Sequence, residues 1–332
     1  MLLRTLTKPV LAFLITAVLL VGLFFVAINT GSLQVSPLEL FRGLFVAYDE
    51  RVATIFDLRF PRIFIAMLGG AVLAASGVLL QAVMKNPLAD PGIIGISSGA
   101  SLVAVLVTAL FPALYFYTPV FAFFGGILAF FLVYSLSWKG GLSPLRIILV
   151  GVAVNAMFSG LMGAFSTGMG SNNSGVASIV NANITLKTWS DLQTLLWYGL
   201  VGLVASCFVL GRCNLLALDD KTARSLGVRV NESRMVISLI AVLLASIATA
   251  ILGPIGFLGL IVPHIARLLV GSNHKILMPY AILLGALTLL LADTVGRTIA
   301  APYEISASVI MSVAGGPFFI FLLRRSRQNY GQ

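Results

Sequence analysis

About ten apolar stretches, each close to twenty residues long, divide this chain, and almost every charged residue falls between them rather than inside them. A helix needs about 20 apolar residues to cross the hydrocarbon of a bilayer at 1.5 Å per residue. Composition agrees: 59% of the 332 residues are hydrophobic and 10% charged, with a mean hydropathy of +1.05. A soluble domain carries charge at about a quarter of its positions. Lipid offers no partner for unpaired backbone groups, and the runs are too long and unalternating for barrel strands, so the spans are helices. The sequence therefore predicts an all-α polytopic membrane protein of about ten transmembrane helices. They lie near 10–29, 62–83, 93–111, 119–137, 144–166, 191–211, 234–252, 255–271, 277–294 and 305–323. The third and eighth contain Gly and Pro and are expected to be short or broken. A single transmembrane domain over 1–332 is expected, with a cytoplasmic segment at about 212–234 and an external one at about 31–61.

Orientation follows from the basic residues. With a cytoplasmic N-terminus, fifteen fall inside: Arg4, Lys8, Lys85, Lys139, Arg146, Arg212, Lys221, Arg224, Arg229, Arg234, Arg267, Lys275, Arg324, Arg325 and Arg327. Six fall outside: Arg42, Arg51, Arg59, Arg62, Lys187 and Arg297. This is the asymmetry of the positive-inside rule, and it puts both termini in the cytoplasm. Four acidic residues lie inside and seven outside, so the net charge of +10 belongs to the cytoplasmic face. Topology and lipid headgroups account for it, and no nucleic-acid partner is implied. Arg4 and Lys8 precede the first apolar run as in a secretory signal. The run is about 20 residues long and no small-x-small cleavage site follows, so it is read as a membrane helix. Cys207 and Cys213 form neither a disulfide framework nor a zinc pattern and are read as packing residues.

Ionisable residues inside spans usually mark ion or proton pathways, and here the span interiors hold essentially none. Asp293 and Arg297 lie near the outer end of the ninth span, His264 and Arg267 in the eighth. Energy for transport is therefore expected from another subunit. His264 is read as bonding backbone rather than ligating metal. Gly70/Ala74 and Ala71/Ala75 in the second span are small-x-x-x-small pairs suited to close helix packing. The fifth span carries Asn155, Met157, Phe158, Ser159 and Met162, which suit either the lining of a path for a bulky, partly apolar solute or ordinary helix contact. Tyr115, Phe116 and Tyr117 read as an aromatic belt.

Two hydrophilic islands stand out. In the cytoplasmic one, Asp219 is expected to cap a short helix through its carboxylate, with Gly227 ending it at positive φ. Ala223 and Leu226 would share its apolar face. Such a projecting helix is a docking knob; the alternative is a solvated loop. The external island ends in Asp57-Leu58-Arg59-Phe60-Pro61-Arg62, where Pro61 opens the next helix. Arg59 and Arg62, joined by Arg297, would gather at its mouth. They read either as an anion-docking cluster or as side chains snorkelling to headgroups.

Several runs, in order, resemble one family. They are Leu58 to Arg62; Gly77 to Gln81 leading to Asn86-Pro87-Leu88-Ala89-Asp90-Pro91-Gly92 and on to Ala100; Leu218 to Gly227; Gly253-Pro254-Ile255-Gly256-Phe257 through Arg267; and Ala292-Asp293 with Arg297, then Gly315-Gly316-Pro317. Together they resemble the integral-membrane permeases of ATP-binding-cassette (ABC) importers for iron complexes and vitamin B12, over nearly the whole chain. The resemblance implies a type II importer permease fold in a bacterial cell membrane, paired with a second copy or a paralogue. It also implies a cytoplasmic ABC ATPase dimer below and an external substrate-binding protein above. ATP and Mg²⁺ would sit on the ATPase, and no cofactor on this chain.

By the same resemblance, Leu218, Asp219, Asp220, Lys221, Ala223, Arg224, Leu226 and Gly227 would couple to the ATPase. Arg59, Arg62 and Arg297 would meet acidic residues of the binding protein. Leu114-Tyr115-Phe116-Tyr117, Leu186 to Asp191 and Leu218-Asp219-Asp220 look most like haem-uptake permeases of Gram-positive bacteria. Where many relatives carry a Gly-Ser pair, this chain has Asn183-Ile184-Thr185. Haem, a ferric siderophore and cobalamin stay open as cargo, in that order. A secondary carrier and an intramembrane enzyme are the rivals from other classes. The first lacks buried ionisable residues; the second lacks any paired catalytic residues, P-loop or metal cluster in the sequence.

Overall fold

A computed structural model describes residues 2–30, 35–137, 144–168, 174–185 and 187–330. Lys139, Leu186 and the first residues of the external island lie outside them. The described residues form α1 (Leu2–Asn29), α2 (Pro37–Phe45), α3 (Glu50–Leu58), α4 (Phe60–Met84), α5 (Ile96–Leu110), a 3-10 helix (Pro112–Tyr117), α6 (Thr118–Ser137) and α7 (Pro144–Gly168). They continue with α8 (Ser174–Val180), α9 (Trp189–Leu216), α10 (Asp220–Ser225), α11 (Val230–Leu252), α12 (Leu258–Val270), α13 (His274–Thr298) and α14 (Ala307–Tyr330). Seven helical runs are long and apolar enough to cross a membrane, and three shorter apolar helices (96–110, 258–270 and 307–322) accompany them. Each of the ten expected spans coincides with one of these. The third and eighth are short, as the sequence suggests: α5 has 15 residues and α12 has 13. Both follow non-helical loops, 85–95 and 253–257.

The core is built around α4, whose buried residues cover its whole circumference. It packs against α9, α11, α12 and α13. Small residues make this possible. A Cβ on Gly70 would lie 2.2 Å from the Gly285 carbonyl oxygen of α13, and one on Gly77 would lie 2.1 Å from that of Gly259 in α12. Backbones touch at both crossings, the close approach that the small-residue pairs predict.

The broken-helix loops are pinned to the same crossing. Asp90 is buried, its Oδ1 accepting from Gly92 N at 2.8 Å and Ile93 N at 3.1 Å. Its Oδ2 lies against Gly259, at the start of α12. Gln81 donates to the Gly259 and Ala89 carbonyls (3.2 and 3.4 Å) and accepts from Arg267.

Candidate functional site

Polar side chains concentrate at the two ends of the bundle. On the side assigned to the cytoplasm, α10 hangs between α9 and α11. Asp219 has the extended backbone of an N-cap (φ −60, ψ 145), but its side chain makes no capping bond. Only its carbonyl serves, accepting from Ala223 N at 2.8 Å. The expected carboxylate cap is thus corrected: the side chain is exposed, and water competes for it.

The far end closes as expected. Gly227 has φ +80, Gly227 N donates to Arg224 O at 3.0 Å, and Val228 N donates to Ala223 O at 3.1 Å. That pair of bonds is a Schellman stop. Ala223 and Leu226 do not form a common buried face. Ala223 is buried against the bundle, whereas Leu226, on the terminal residue where the helix unwinds, is 60% exposed. Leu218, Asp219, Lys221 and Arg224 are exposed beside it.

Asp220 does not project with them. Its Oδ1 lies 2.9 Å from Lys85 Nζ and 2.9 Å from Arg234 Nη2. Lys85 also donates to the Leu218 carbonyl. A hydrogen bond from Lys85, reinforced by the Arg234 charge against slight desolvation, holds the Asp220 carboxyl below the usual aspartate range. Neither Lys85 nor Arg234 was picked out from the sequence as a partner for α10, because they lie on other helices.

At the opposite end, Arg62, Asp293, Arg297 and Glu304 form a compact ion cluster. Arg62 holds Asp293 Oδ1 through Nη2 (2.8 Å) and Nε (3.0 Å), and Glu304 Oε2 through Nη1 (2.8 Å). Arg297 Nε lies 3.2 Å from Asp293 Oδ2 and its Nη1 donates to Ala27 O at 3.2 Å. Arg59, half-buried at the start of α4, donates to Ile28 O. Sequence reasoning brought the three arginines together correctly but expected them on an open mouth. The structure corrects this: the side chains of Arg62 and Arg297 are only 7% and 5% exposed, because the buried Asp293 carboxylate draws both inward. Glu304 and Thr185 (Oγ1 to Oε2, 2.8 Å) complete the network. Burial raises the Glu304 pKa, but the Arg62 and Thr185 bonds outweigh it, leaving the carboxyl below its ordinary value. A cavity of about 350 Å³ opens here, lined by Arg62, Asn181, Asn183, Thr185, Asp293 and Glu304 among others.

Nearby, Lys187 (3.6 Å) and Tyr115 both reach Asp191, which also caps the start of α9. Burial lowers the Lys187 pKa and Asp191 opposes that. Tyr115 is therefore a tie between the 3-10 helix and α9, not merely a belt residue.

The fifth-span set divides. Phe158 and Met162 are buried in the chain's own packing, while Met157 and Ser159 are exposed and Asn155 is intermediate. The five do not line one surface, because Phe158 and Met162 (i, i+4) belong to the inward stripe of α7 with Gly151 and Val154. His264 packs edge-on against Phe318 at 5.6 Å. Among the described residues no group of three or more His, Cys, Asp or Glu could hold a metal ion.

The sequence profile of the FecCD transport family matches residues 18–325. The chain belongs to the FecCD transport family. The protein named "Probable heme-iron transport system permease protein IsdF" from Staphylococcus aureus strain Newman is 39% identical over 322 residues, 97% of this chain and 98% of its own. The same-named protein of strain MSSA476 matches to the same extent. Among solved structures, a metal-chelate type ABC transporter in an inward-facing conformation has a TM-score of 0.77 at 30% identity. It covers 96% of this chain and 99% of its own. PsaBC from Streptococcus pneumoniae, solved with a Fab, has a TM-score of 0.57 at 17% identity, covering 86% and 95%, and shares the fold. This FecCD member is thus a multi-pass membrane permease, whose work is translocation rather than catalysis.

Proposed function

We propose that this FecCD-family chain is the membrane permease of an ATP-driven importer that carries haem from an external binding protein into the cytoplasm of a bacterium. The observation that carries the cargo is the full-length similarity to the staphylococcal haem-iron permease. In this reading the chain forms one domain, crosses the cytoplasmic membrane ten times with both termini inside, and pairs with a second copy or a paralogue. The exposed part of α10, with Leu218, Asp219, Lys221, Arg224 and Leu226, seats in a cytoplasmic ABC ATPase dimer. Gly227 and the buried Ala223 set its angle. The ATPase holds ATP and Mg²⁺, and this chain binds no cofactor.

Arg59, Arg62 and Arg297 give the outer end its positive field. Because Arg62 and Arg297 are already paired, their part in docking is to orient an acidic partner and speed its encounter. Asn155 and Ser159, four residues apart on α7, face the path between copies, with Met157 on another exposed side of the helix and Phe158 and Met162 packed inward.

Reconstitution with the cognate ATPase in nanodiscs tests this. Haem-loaded binding protein is expected to stimulate ATP hydrolysis, and Arg59→Glu to weaken the stimulation. Stimulation by a siderophore-loaded protein alone would keep the importer and discard haem. Uptake driven by a proton or sodium gradient and insensitive to vanadate would replace the importer with a secondary carrier.

A further inference from the structure

We propose that Asp220 is a strap rather than a docking residue: with Lys85 it ties α10 to the end of the central helix α4, so that movement of α10 reaches the first broken-helix loop and the start of α12. The proposal rests on reading α10 as the segment that meets the ATPase, and it makes Lys85 and Asp220 positioning residues for the transport stroke.

Three observations carry it. First, Asp220 turns away from the exposed side of α10, and both cations that meet it come from membrane helices of this chain. Arg234 lies in the first turns of α11, which follows α10 directly. Lys85 belongs to the far end of α4, 135 residues away. Second, Lys85 is built to reach sideways. It follows the last residue of α4 with φ 47, a left-handed conformation that non-glycine residues rarely adopt, and it grips both the Asp220 carboxylate and the Leu218 carbonyl. A residue that merely solvated the helix end would need neither. Third, the turn of α4 that carries Lys85 is already committed on its other side. Gln81 bonds Ala89 O in the first broken-helix loop, Gly259 O at the start of α12, and Arg267 within α12. One helical turn therefore joins α10 to residues 86–95 and to α12.

The ion pair has little value as a fastener. Lys85, Asp220 and Arg234 side chains are each about a third exposed (33%, 36% and 32%). Pairs so placed contribute about 0–1 kcal/mol. What the arrangement supplies is direction: the distant end of α4 and the first turns of α11 converge on one carboxylate oxygen of α10.

Hydrogen exchange of the chain reconstituted with its ATPase, with and without the non-hydrolysable analogue AMP-PNP, separates the possibilities and needs no cargo. In the wild type, ATPase binding should protect α10, and the analogue should shift exchange at both α10 and residues 86–95. In Asp220→Asn and Lys85→Met, protection of α10 by the ATPase should remain while the shift at 86–95 is lost. Lys85→Arg should restore it. A shift at 86–95 that survives in both variants overturns the strap. So does loss of ATPase binding by Asp220→Asn, which would make Asp220 a docking residue. Failure of both variants to accumulate would make the pair a folding element and equally overturn it. If the wild-type α10 is not protected by the ATPase at all, the coupling reading itself fails, and the strap with it.

Discussion

The two ends of this molecule use the same device, one aspartate between two cations, in opposite environments. At the outer end Asp293 serves Arg62 and Arg297, with side-chain exposures of 1%, 7% and 5%. At the inner end Asp220 serves Lys85 and Arg234, each group about a third exposed. A buried charge has lost its water and depends on its partner, so the outer triad is part of what holds α4, α13 and the loop after α13 together. The inner triad keeps about a third of its surface in contact with solvent and can part and re-form at little cost. In the proposed orientation the buried triad sits at the outer end and the looser one beside α10, the segment proposed to meet the ATPase.

The largest test of the contrast removes the aspartates. Asp293→Ala leaves the buried Arg297 without its carboxylate and Arg62 with Glu304 alone, and should cost about 3–5 kcal/mol. Asp220→Ala should cost about 0–1 kcal/mol. Thermal unfolding in detergent compares them, and equal losses would dissolve the distinction. Steric insult comes next. Gly77→Val forces a side chain onto the Gly259 backbone and should cost at least the roughly 1–3 kcal/mol of ordinary overpacking, since backbone cannot step aside. Gly160→Ala meets nothing within 4 Å and should leave the isolated chain stable, gaining up to about 1 kcal/mol of helix propensity. A loss of transport without loss of stability in Gly160→Ala would mark that face of α7 as one covered by the second subunit.

Much of this architecture could be read from the sequence. Hydropathy located the ten apolar helices because a bilayer enforces length and composition directly. The Gly70/Ala74 pairing foretold a close helix crossing on that face of α4, though not that α13 is the partner, because only small residues let backbones meet. The Schellman stop was visible in Gly227. Other features were written locally but went unread: the Ser36–Glu39 capping box that starts α2 has the familiar Ser-x-x-Glu pattern. The inward stripe Gly151, Val154, Phe158 and Met162 has helical period, yet those residues were weighed by type rather than by face. The ion clusters were not legible in the same way. Arg62 and Asp293 are 231 residues apart, and Lys85 and Asp220 are 135 apart. A basic residue between spans looks like a docking group until the helix that neutralises it is in place.

Salt sharpens the comparison on a smaller scale. At 1 M ionic strength the screening length shrinks to about 3 Å, which weakens solvent-exposed pairs far more than buried ones. The strap response at residues 86–95 should therefore fade with salt, while the outer triad and the unfolding temperature hold. A response indifferent to salt would mean that Lys85 acts through its Leu218 carbonyl bond and not through charge.

Acid gives the smallest effect, and its sign is fixed. Glu304 and Asp220 both have pKa values lowered in the folded chain from their ordinary 4.5 and 3.8. As pH falls, the unfolded chain takes up these protons first, so each group's contribution is complete above its ordinary value and is lost as pH drops through its folded one. Stability should thus be level, as far as these two groups are concerned, from pH 8 to about 5, and decline only below about 4.5. Glu304→Gln should remove the outer part of that decline and Asp220→Asn the inner part. Because both groups stand more than a third exposed, at 39% and 36%, water screens them and each share should be modest. A decline centred near pH 6 that vanished in Glu304→Gln would require this carboxyl to be raised rather than lowered. It would mean that Arg62 is committed wholly to Asp293, leaving Glu304 to the desolvated cavity wall.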